Sequence, residues 1–249
     1  MTLWAFLLLL LLGVFTGGIG AIIGSSLLVV VPALIFYGLP AHVALGTAKL
    51  STFFRDIPAL VNYHREEQVE YRDAIVFTVV GILGAVAGTC FALSLSEEKI
   101  ELIISLCMII IGILVMKNPG VGLETRVITR DKQHYLVSVV LGVVIGFYYG
   151  IFGGGTNIFA ILFFVMVCGH AFLKAIATSK IPILVIGIAS ILVFAVEDKV
   201  DYITVIPLII GMLVGGHFGS KLAIKKGNVF IRILFLAVVF VMAGMLLFF

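Results

Sequence analysis

Two stretches of the chain match each other: GSSLLVVVPALIFYGLPAHVALGTAK at residues 24–49 and GTNIFAILFFVMVCGHAFLKAIATSK at residues 155–180. A shift of 131 positions aligns them without a gap. Coincident aliphatic residues would mean little in a chain that is 62% hydrophobic, but glycine, threonine and lysine also coincide. The matched positions are Gly24 with Gly155, Gly38 with Gly169, Ala44 with Ala175, Thr47 with Thr178 and Lys49 with Lys180. The segments therefore indicate that the chain contains a duplicated half.

The composition is that of an integral membrane protein. The mean hydropathy is +1.29 and only 12% of the residues are charged, whereas soluble domains carry about 25%. The apolar runs are continuous and not alternating, which favours helices over a membrane β-barrel. The net charge is only +3 and no basic stripe is present, so we expect the lipid bilayer to surround the chain and expect no nucleic-acid partner.

The apolar runs predict an all-α polytopic membrane protein with five helical pieces in each half. The chain divides into a first membrane repeat at 1–116, a polar linker at 117–133 and a second repeat at 134–249. The predicted pieces are 3–19, 22–37, 47–62, 73–94, 98–116, 135–150, 152–168, 178–196, 202–223 and 228–247. An internal duplication in so apolar a chain is typical of secondary transporters.

Glycine-rich breaks interrupt the early helices of both halves. GGIGAIIGSS occupies residues 17–26 and YYGIFGGGTN occupies residues 148–157. The pieces beside them are too short to span a bilayer upright, since spanning takes about 20 residues. We expect these pieces either to tilt or to meet near the bilayer midplane as broken helices or hairpins. A second interruption is predicted in each half, at 38–49 and at 169–180.

Loop charges predict that the halves have opposite orientations, because lysine and arginine accumulate in short cytoplasmic loops. The linker 117–133 contains two lysines and two arginines and the loop 221–227 contains three lysines, so we expect both to be cytoplasmic. Loop 63–72, with two arginines, is also predicted inside. Its repeat partner, 194–203, carries three acidic residues and is predicted outside. Both termini are then outside, and the two repeats are inverted.

The duplicated lysines are the first candidates for a substrate site. Lys49 and Lys180 each follow a break rich in small residues and precede an apolar helix in the predicted assignment. An unpaired ammonium in hydrocarbon costs a few kcal/mol. The two side chains could therefore form an anion-binding pair at the centre of the inverted repeats. Alternatively, they extend to the membrane interface and anchor helix ends.

The glycine breaks add backbone and hydroxyl donors to the predicted site. A helix N-terminus offers free N–H groups and about half a positive charge, and glycine allows a ligand close to the backbone. Thr47, Thr178 and Ser179 could present hydroxyls to the same ligand, cap the helices predicted to begin there, or do both. The predicted substrate-binding residues are Gly24, Ser25, Ser26, Thr47, Lys49, Gly154, Gly155, Thr156, Asn157, Thr178, Ser179 and Lys180. Other glycines are expected to serve helix packing, namely Gly81, Gly84, Gly88, Gly211, Gly215 and Gly219.

Three further polar residues have no clear assignment from sequence. Arg55 and Asp56 form either a local ion pair or a group that contacts the anion or couples protons. His217 lies among glycines and serves either packing or gating. The histidines and the three cysteines show no metal-ligand spacing. No nucleotide-binding loop or catalytic constellation is present either. We therefore predict no metal, no cofactor and no enzyme activity.

Four segments resemble the TauE/SafE family of sulfite and organosulfonate exporters. They are GIGAIIGSSLLVVVPALIFYGLP, GTAKLSTFF and their second copies FGGGTNIFAILFFVMVCG and ATSKIPIL. The resemblance covers nearly the whole chain. It implies export of small sulfur-containing anions across a prokaryotic inner membrane. The positions that carry it are Gly24, Ser25, Thr47, Lys49, Gly155, Thr156, Thr178 and Lys180. The first break lacks the consecutive glycines of the second.

The sequence thus predicts a secondary transporter that exports sulfite-like anions by alternating access. A passive anion channel, or a transporter of another small oxyanion or carboxylate, would use the same residues. A homodimer is also compatible with the sequence.

Overall fold

The computed structural model describes residues 2–24, 26–100, 102, 103, 106 and 132–248, with side chains for all of these except 132–134, 232 and 235–248. The described part contains helices and no strand. The helices are α1 (Leu3–Ile23), α2 (Leu27–Phe36), α3 (Ala41–Arg65), α4 (Tyr71–Leu93), α5 (Lys132–Ile151), α6 (Thr156–Met166), α7 (Phe172–Val196) and α8 (Tyr202–Phe248). The predicted piece at 98–116 and most of the linker lie outside the described residues.

Several helices are long and apolar enough to cross a bilayer. They are Leu3–Ile23, Tyr71–Leu93, Phe172–Val196 and Tyr202–Ile231. Large apolar side chains such as Trp4, Phe15, Leu83 and Phe218 are exposed on their surfaces, as expected for helices in contact with lipid. The predicted all-α polytopic membrane fold is confirmed. α8 is interrupted at Gly227, where φ is 70° and ψ is −170°, close to the predicted boundary between the last two pieces.

The prediction of short helices beside the glycine breaks is confirmed for α2 and α6, but it is wrong for α1, which has 21 residues and continues through most of the predicted break at 17–26. α2 has ten residues and α6 has eleven. At 1.5 Å per residue they extend about 15–17 Å, roughly half of the hydrocarbon thickness. Their meeting near the bilayer midplane stays a prediction.

A second interruption is present in each half, at 37–40 and 167–171, but it is shorter than the predicted 38–49 and 169–180. α3 begins at Ala41 and α7 at Phe172, so the lysines and their neighbouring threonines lie inside helices. Pro40, with φ −54° and ψ 147°, sets the start of α3. Gly46 does not break the helix. A Cβ atom there would lie 2.1 Å from the carbonyl oxygen of Lys199, so glycine permits close packing.

The two halves pack against each other in a reciprocal way. α1 packs along α8 and α5 along α4, so the first helix of each half lies on the fourth described helix of the other. α3 also packs on α8, α7 packs on α4, and α3 contacts α7. A two-fold relation between the halves predicts this pattern. Their opposite orientation in the membrane stays a prediction.

The glycines of α4 and α8 lie at these contacts. A Cβ at Gly84 would lie 2.2 Å from the carbonyl oxygen of Val143, and one at Gly215 would lie 2.2 Å from that of Val14. Backbone atoms cannot move aside cheaply, so only glycine allows this approach. The packing role predicted for the glycines of both helices is confirmed.

The spacing between equivalent residues changes along the chain. Ala41 and Phe172, which begin α3 and α7, are 131 positions apart. Leu3 and Lys132, which begin α1 and α5, are only 129 apart. The residues that contact the glycines show the same change in spacing: Val14 and Val143, which contact Gly215 and Gly84, are also 129 positions apart. The second half therefore has two additional residues between the start of its first helix and the start of its third. One of them lies in the break, which has four residues (152–155) where the first half has three (24–26).

Candidate functional site

A small cavity lies between the two halves, where α2 and α6 begin. Residues of both halves line it: Gly24, Leu27, Thr52, Arg55, Tyr149, Gly153, Thr156, Asn157 and Ile183. It is therefore the place where the predicted glycine breaks meet.

Glycine is required at both breaks by the backbone. Gly24 has φ 76° and Gly155 has φ 73°, a left-handed conformation that other residues rarely adopt. A Cβ atom at Gly24 would also lie 1.9 Å from Nδ2 of Asn157. The first break thus contacts the side chain at the start of α6, which brings the two breaks together.

The starts of α2 and α6 have no side-chain caps. Ser26 precedes α2 and Gly155 precedes α6, and neither supplies a capping hydrogen bond from a side chain. The first N–H groups of a helix carry a partial positive charge and favour anions. Two such helix starts at one cavity form an electropositive environment without any ionised side chain.

Two polar groups at the start of α6 are buried and have no hydrogen-bond partner among the described residues. Thr156 and Asn157 are 1% and 2% exposed. Among the described residues, Oγ1 of Thr156 and Nδ2 of Asn157 make no hydrogen bond. The hydroxyl of Ser179 donates to Oδ1 of Asn157 at 2.8 Å. This bond identifies Oδ1 as the acceptor of the Asn157 amide, so Nδ2 remains available to donate to another group. Buried donors without acceptors are costly, so this pair is suited to a ligand that accepts hydrogen bonds.

Arg55 brings a positive charge to the cavity wall. Its Nη1 donates to Oγ of Ser26 at 2.7 Å, and its Nε donates to Oδ1 of Asp56 at 3.0 Å. Ser26 in turn donates to the carbonyl oxygen of Thr16 at 2.6 Å. The local ion pair of Arg55 and Asp56 is therefore confirmed, and Arg55 also lines the cavity.

Lys180 joins this ion pair. Its Nζ donates to Oδ1 of Asp56 at 2.9 Å and to the carbonyl oxygen of Gly20 at 3.3 Å. Asp56 is 1% exposed and thus lies between two buried cations. The sequence gives no sign of this contact, because Lys180 and Asp56 belong to different halves.

Lys49 has neutral partners. Its Nζ donates to the carbonyl oxygens of Tyr149 and Gly150, at 2.8 and 2.7 Å, and to Oγ of Ser190 at 2.9 Å. It also lies 5.0 Å from the ring centre of Tyr149 and 4.9 Å from that of Phe194. Among the described residues, no carboxylate balances its charge.

The two lysines have equivalent roles at helix ends. Lys49 binds the last turn of α5 and Lys180 binds the last turn of α1, so each holds the first helix of the other half. The C-terminal carbonyls of a helix favour such cations. Both side chains are fully buried, so they do not extend to the surface. They share no partner and do not line the cavity; their convergence on one anion stays a prediction.

The equivalent threonines also bind across the halves. Thr47 accepts the N–H of Asp201 at 2.9 Å, and Thr178 accepts the N–H of Glu70 at 3.0 Å. They lie within α3 and α7, so they do not cap helices that begin there. Each instead satisfies a backbone donor where the fourth described helix of the other half begins.

Asp201 reinforces the start of α8. Its carboxylate accepts from the hydroxyl of Thr204 at 2.7 Å and from the N–H of Ile203 at 2.9 Å. Burial opposes ionisation, but these hydrogen bonds outweigh it and hold the pKa of the Asp201 carboxyl below its usual value. The loop before α8 thus carries a negative charge at neutral pH.

The predicted residues Gly154 and His217 are not among the described residues that line the cavity. Gly154 accepts a hydrogen bond from the hydroxyl of Tyr148. The backbone oxygen of His217 accepts from Asn62 at 3.1 Å. Ser25 lies outside the described residues.

Sequence reasoning missed part of the cavity wall. The additional lining residues are Leu27, Thr52, Tyr149 and Ile183, whereas Gly153 belongs to the predicted glycine break. Thr52 could have been found, since it lies one helical turn after Lys49. Tyr149 could not have been found from the duplication, because the shift of 131 positions that aligns the two halves does not apply to the first helix of each half.

The chain matches a known family over nearly its whole length. A family described as "Sulfite exporter TauE/SafE" matches residues 9–246. The chain belongs to the TauE/SafE family. It is a multi-pass membrane protein of a transporter family.

Similar proteins occur in several bacteria. The probable membrane transporter protein YfcA of Escherichia coli (strain K12) is 29% identical over 232 residues, covering 93% of this chain and 86% of that protein. A probable membrane transporter protein of Haemophilus influenzae is 27% identical over 227 residues, covering 91% and 88%. The probable membrane transporter protein YdhB of Bacillus subtilis is 22% identical over 221 residues, covering 86% and 87%. No solved structure matches the chain. These relatives support membrane transport, and their names specify no substrate.

Proposed function

We propose that this TauE/SafE protein is a secondary transporter that exports small oxyanions, sulfite and organosulfonates first among them. The observation that carries the proposal is the partnerless pair of donors at the start of α6, beside Arg55 and two uncapped helix starts. A compact anion with several acceptor oxygens would satisfy the hydroxyl, the amide and the backbone donors together. The named sulfur anions come from the family description.

The buried charges favour an anion over a cation. Lys49, Arg55 and Lys180 contribute three positive charges around the cavity, while Asp56 contributes one negative charge. The partial positive charges at the starts of α2 and α6 add to this excess of positive charge. A carboxylate could use the same donors, so small carboxylates are the competing substrates.

The proposed mechanism is alternating access around this cavity. The first helix of each half is held by a lysine of the other half, and the contacts between the halves are reciprocal. Two similar halves of opposite orientation could then move against each other and expose the cavity to each side in turn.

Binding of the anion can be tested with the isolated protein. Melting temperatures should rise with sulfite or an organosulfonate, and less with acetate. Sulfate and thiosulfate should bind in the same range, because they present similar acceptor oxygens to the same hydroxyl, amide and backbone donors. If none of the anions shifts the melting temperature, the proposed substrate class is wrong.

Transport itself separates a transporter from a channel. Liposomes loaded with sulfite should take up labelled sulfite by saturable counterflow. Unitary conductance in planar bilayers, without counterflow, would favour the alternative of a passive anion channel.

Replacing Thr156 by valine should weaken anion binding. A hydrogen bond to a charged ligand contributes roughly 1.5–3 kcal/mol, which corresponds to about a ten- to hundredfold loss of affinity. The melting temperature without ligand should not fall, because the hydroxyl has no partner to lose. Titration calorimetry measures the first effect and thermal unfolding the second.

Thr78→Val is the matched control. The hydroxyl of Thr78 bonds to the carbonyl oxygen of Ala74 within α4 and does not line the cavity. Its removal should leave affinity unchanged. Equal affinities in the Thr156→Val variant and the wild type would remove Thr156 from the site.

The proposed location is the cytoplasmic membrane of a prokaryotic cell, with both termini outside and a homodimer as a candidate assembly. The acidic loop before α8 and the positive loop at 221–227 support this orientation. In a variant without native cysteines, Asp198→Cys should react with a membrane-impermeant maleimide in intact cells. A cysteine within 117–131 should react only after the membrane is opened. The reverse pattern would overturn the orientation.

A further inference from the structure

A second polar cluster lies away from the cavity, between the loop that joins α6 to α7 and the first turn of α4. Asp73, Cys168 and His170 are all buried, with exposures of 7%, 7% and 4%. One potential ligand atom from each lies within 4.8 Å of the other two. Side chains from two distant parts of the chain thus present a carboxylate, a thiol and an imidazole at one point.

The imidazole of His170 is held in place. Its backbone N–H donates to the carbonyl oxygen of Phe164 at 3.0 Å, and its ring stacks on that of Phe164. Nε2 lies 3.0 Å from Oδ2 of Asp73. Among the described residues, however, neither ring nitrogen has a well-aligned hydrogen-bond partner. A buried imidazole in this state is suited to a metal ion.

We infer that Asp73, Cys168 and His170 bind a divalent zinc ion. Zinc takes thiolate, imidazole and carboxylate ligands in tetrahedral sites at about 2.0–2.3 Å, which separates ligand atoms by roughly 3.3–3.8 Å. The observed separations are all within 4.8 Å, so binding would require the ligand atoms to approach one another by at most about 1.0–1.5 Å. Three protein ligands leave a fourth position for water. The mixed sulfur, nitrogen and oxygen set favours zinc over magnesium or calcium, which prefer oxygen ligands.

The apolar surroundings support an ordered site. Phe77 lies one turn after Asp73 in α4, and its ring packs 5.7 Å from that of Phe164. Such a shell restricts solvent and fixes ligand orientation. A bound zinc ion would tie the end of the short helix α6 to α4 of the other half.

The site is present in one half only. The spacing of 131 positions relates Cys168 to Tyr37, His170 to Leu39 and Asp73 to Thr204, and none of these three is a typical zinc ligand. The cluster is therefore not part of the duplicated substrate site, and it is independent of the proposed transport. Sequence patterns do not reveal it, because Asp73 lies far from Cys168 along the chain.

Cobalt and zinc titrations of the purified full chain test the inference. The protein used is Cys90→Ser/Cys107→Ser, in which Cys168 is the remaining cysteine. One cobalt ion per chain should give a thiolate-to-cobalt absorption band in the near ultraviolet, and zinc should abolish it. Zinc should also protect Cys168 from alkylation. This protection assay keeps all three proposed zinc ligands unchanged.

Ligand variants complete the test. Cys168→Ser, His170→Gln and Asp73→Asn should each weaken zinc binding by at least about 100-fold, more than the loss of an outer-sphere partner. Glu70→Gln is the matched control. Its carboxylate pairs with Lys174 at the half-exposed surface, so zinc affinity should not change.

Two results would overturn the zinc site. One is the lack of a cobalt–thiolate band together with unprotected alkylation of Cys168. The other is zinc binding that all three ligand variants retain at wild-type affinity. The protection assay decides the matter even if the ligand variants fail to fold.

Discussion

Replacing Asp56 by asparagine is expected to destabilise the folded protein by about 3–5 kcal/mol, the cost of removing one partner from a buried ion pair. Asp56 accepts from both Arg55 and Lys180, and all three side chains are nearly or fully buried. Asparagine keeps the shape but leaves two cations facing each other in an environment of low dielectric constant. Equilibrium unfolding in mixed micelles measures the loss.

Two further variants identify the cause. Asp56→Asn combined with Lys180→Met restores the original net charge of the cluster and should recover part of the lost stability. Glu70→Gln breaks the pair with Lys174, whose side chains are about one-third exposed, and should cost less than about 1 kcal/mol. Equal stability of Asp56→Asn and wild type would show that the buried cations need no carboxylate.

Replacing Lys49 by methionine is expected to weaken anion binding strongly without weakening the fold. Lys49 is a buried cation without a carboxylate partner among the described residues, and methionine removes its charge at similar length. Lys49 lies directly behind the cavity wall, because a Cβ atom at the lining residue Gly153 would lie 3.5 Å from its Cε. Two unit charges roughly 8 Å apart interact by about 2 kcal/mol at an effective dielectric constant of about 20. That energy corresponds to about a thirtyfold change in affinity.

Stability should change little in the Lys49→Met variant, because the loss of the hydrogen bonds to Tyr149, Gly150 and Ser190 is offset by the removal of a buried charge. Lys174→Met, which removes a partly exposed lysine, should leave affinity unchanged. Calorimetric titration with sulfite and thermal unfolding give the two readouts. Wild-type affinity in the Lys49→Met variant would limit Lys49 to holding the end of α5.

Much of the fold could be predicted because lipid imposes simple rules on a chain. Continuous apolar runs must form helices in a bilayer, and glycine-rich stretches must interrupt them. The duplicated lysines were recognisable because each is a charged residue in an apolar region. These features are local, so the sequence contains them.

The contacts between the halves could not be predicted in the same way. Lys180 reaches Asp56 across the molecule, and Thr47 accepts from the backbone of Asp201. Such pairs depend on how helices pack. The starts of α3 and α7 were placed six residues too late (47 and 178 instead of 41 and 172), because Gly46 indicates a break locally but serves close packing in the fold.

The two halves are similar but not identical, and the differences lie at the cavity. The break in the second half has one additional residue, and Arg55 and Asp56 correspond to Ile186 and Gly187. If the halves exchange conformations during transport, the inward-facing and outward-facing states cannot have equal free energies. The empty carrier would then rest with its cavity open mainly to one side of the membrane. That resting preference would set the side from which the anion is captured at low concentration, without any change in the donors that bind it.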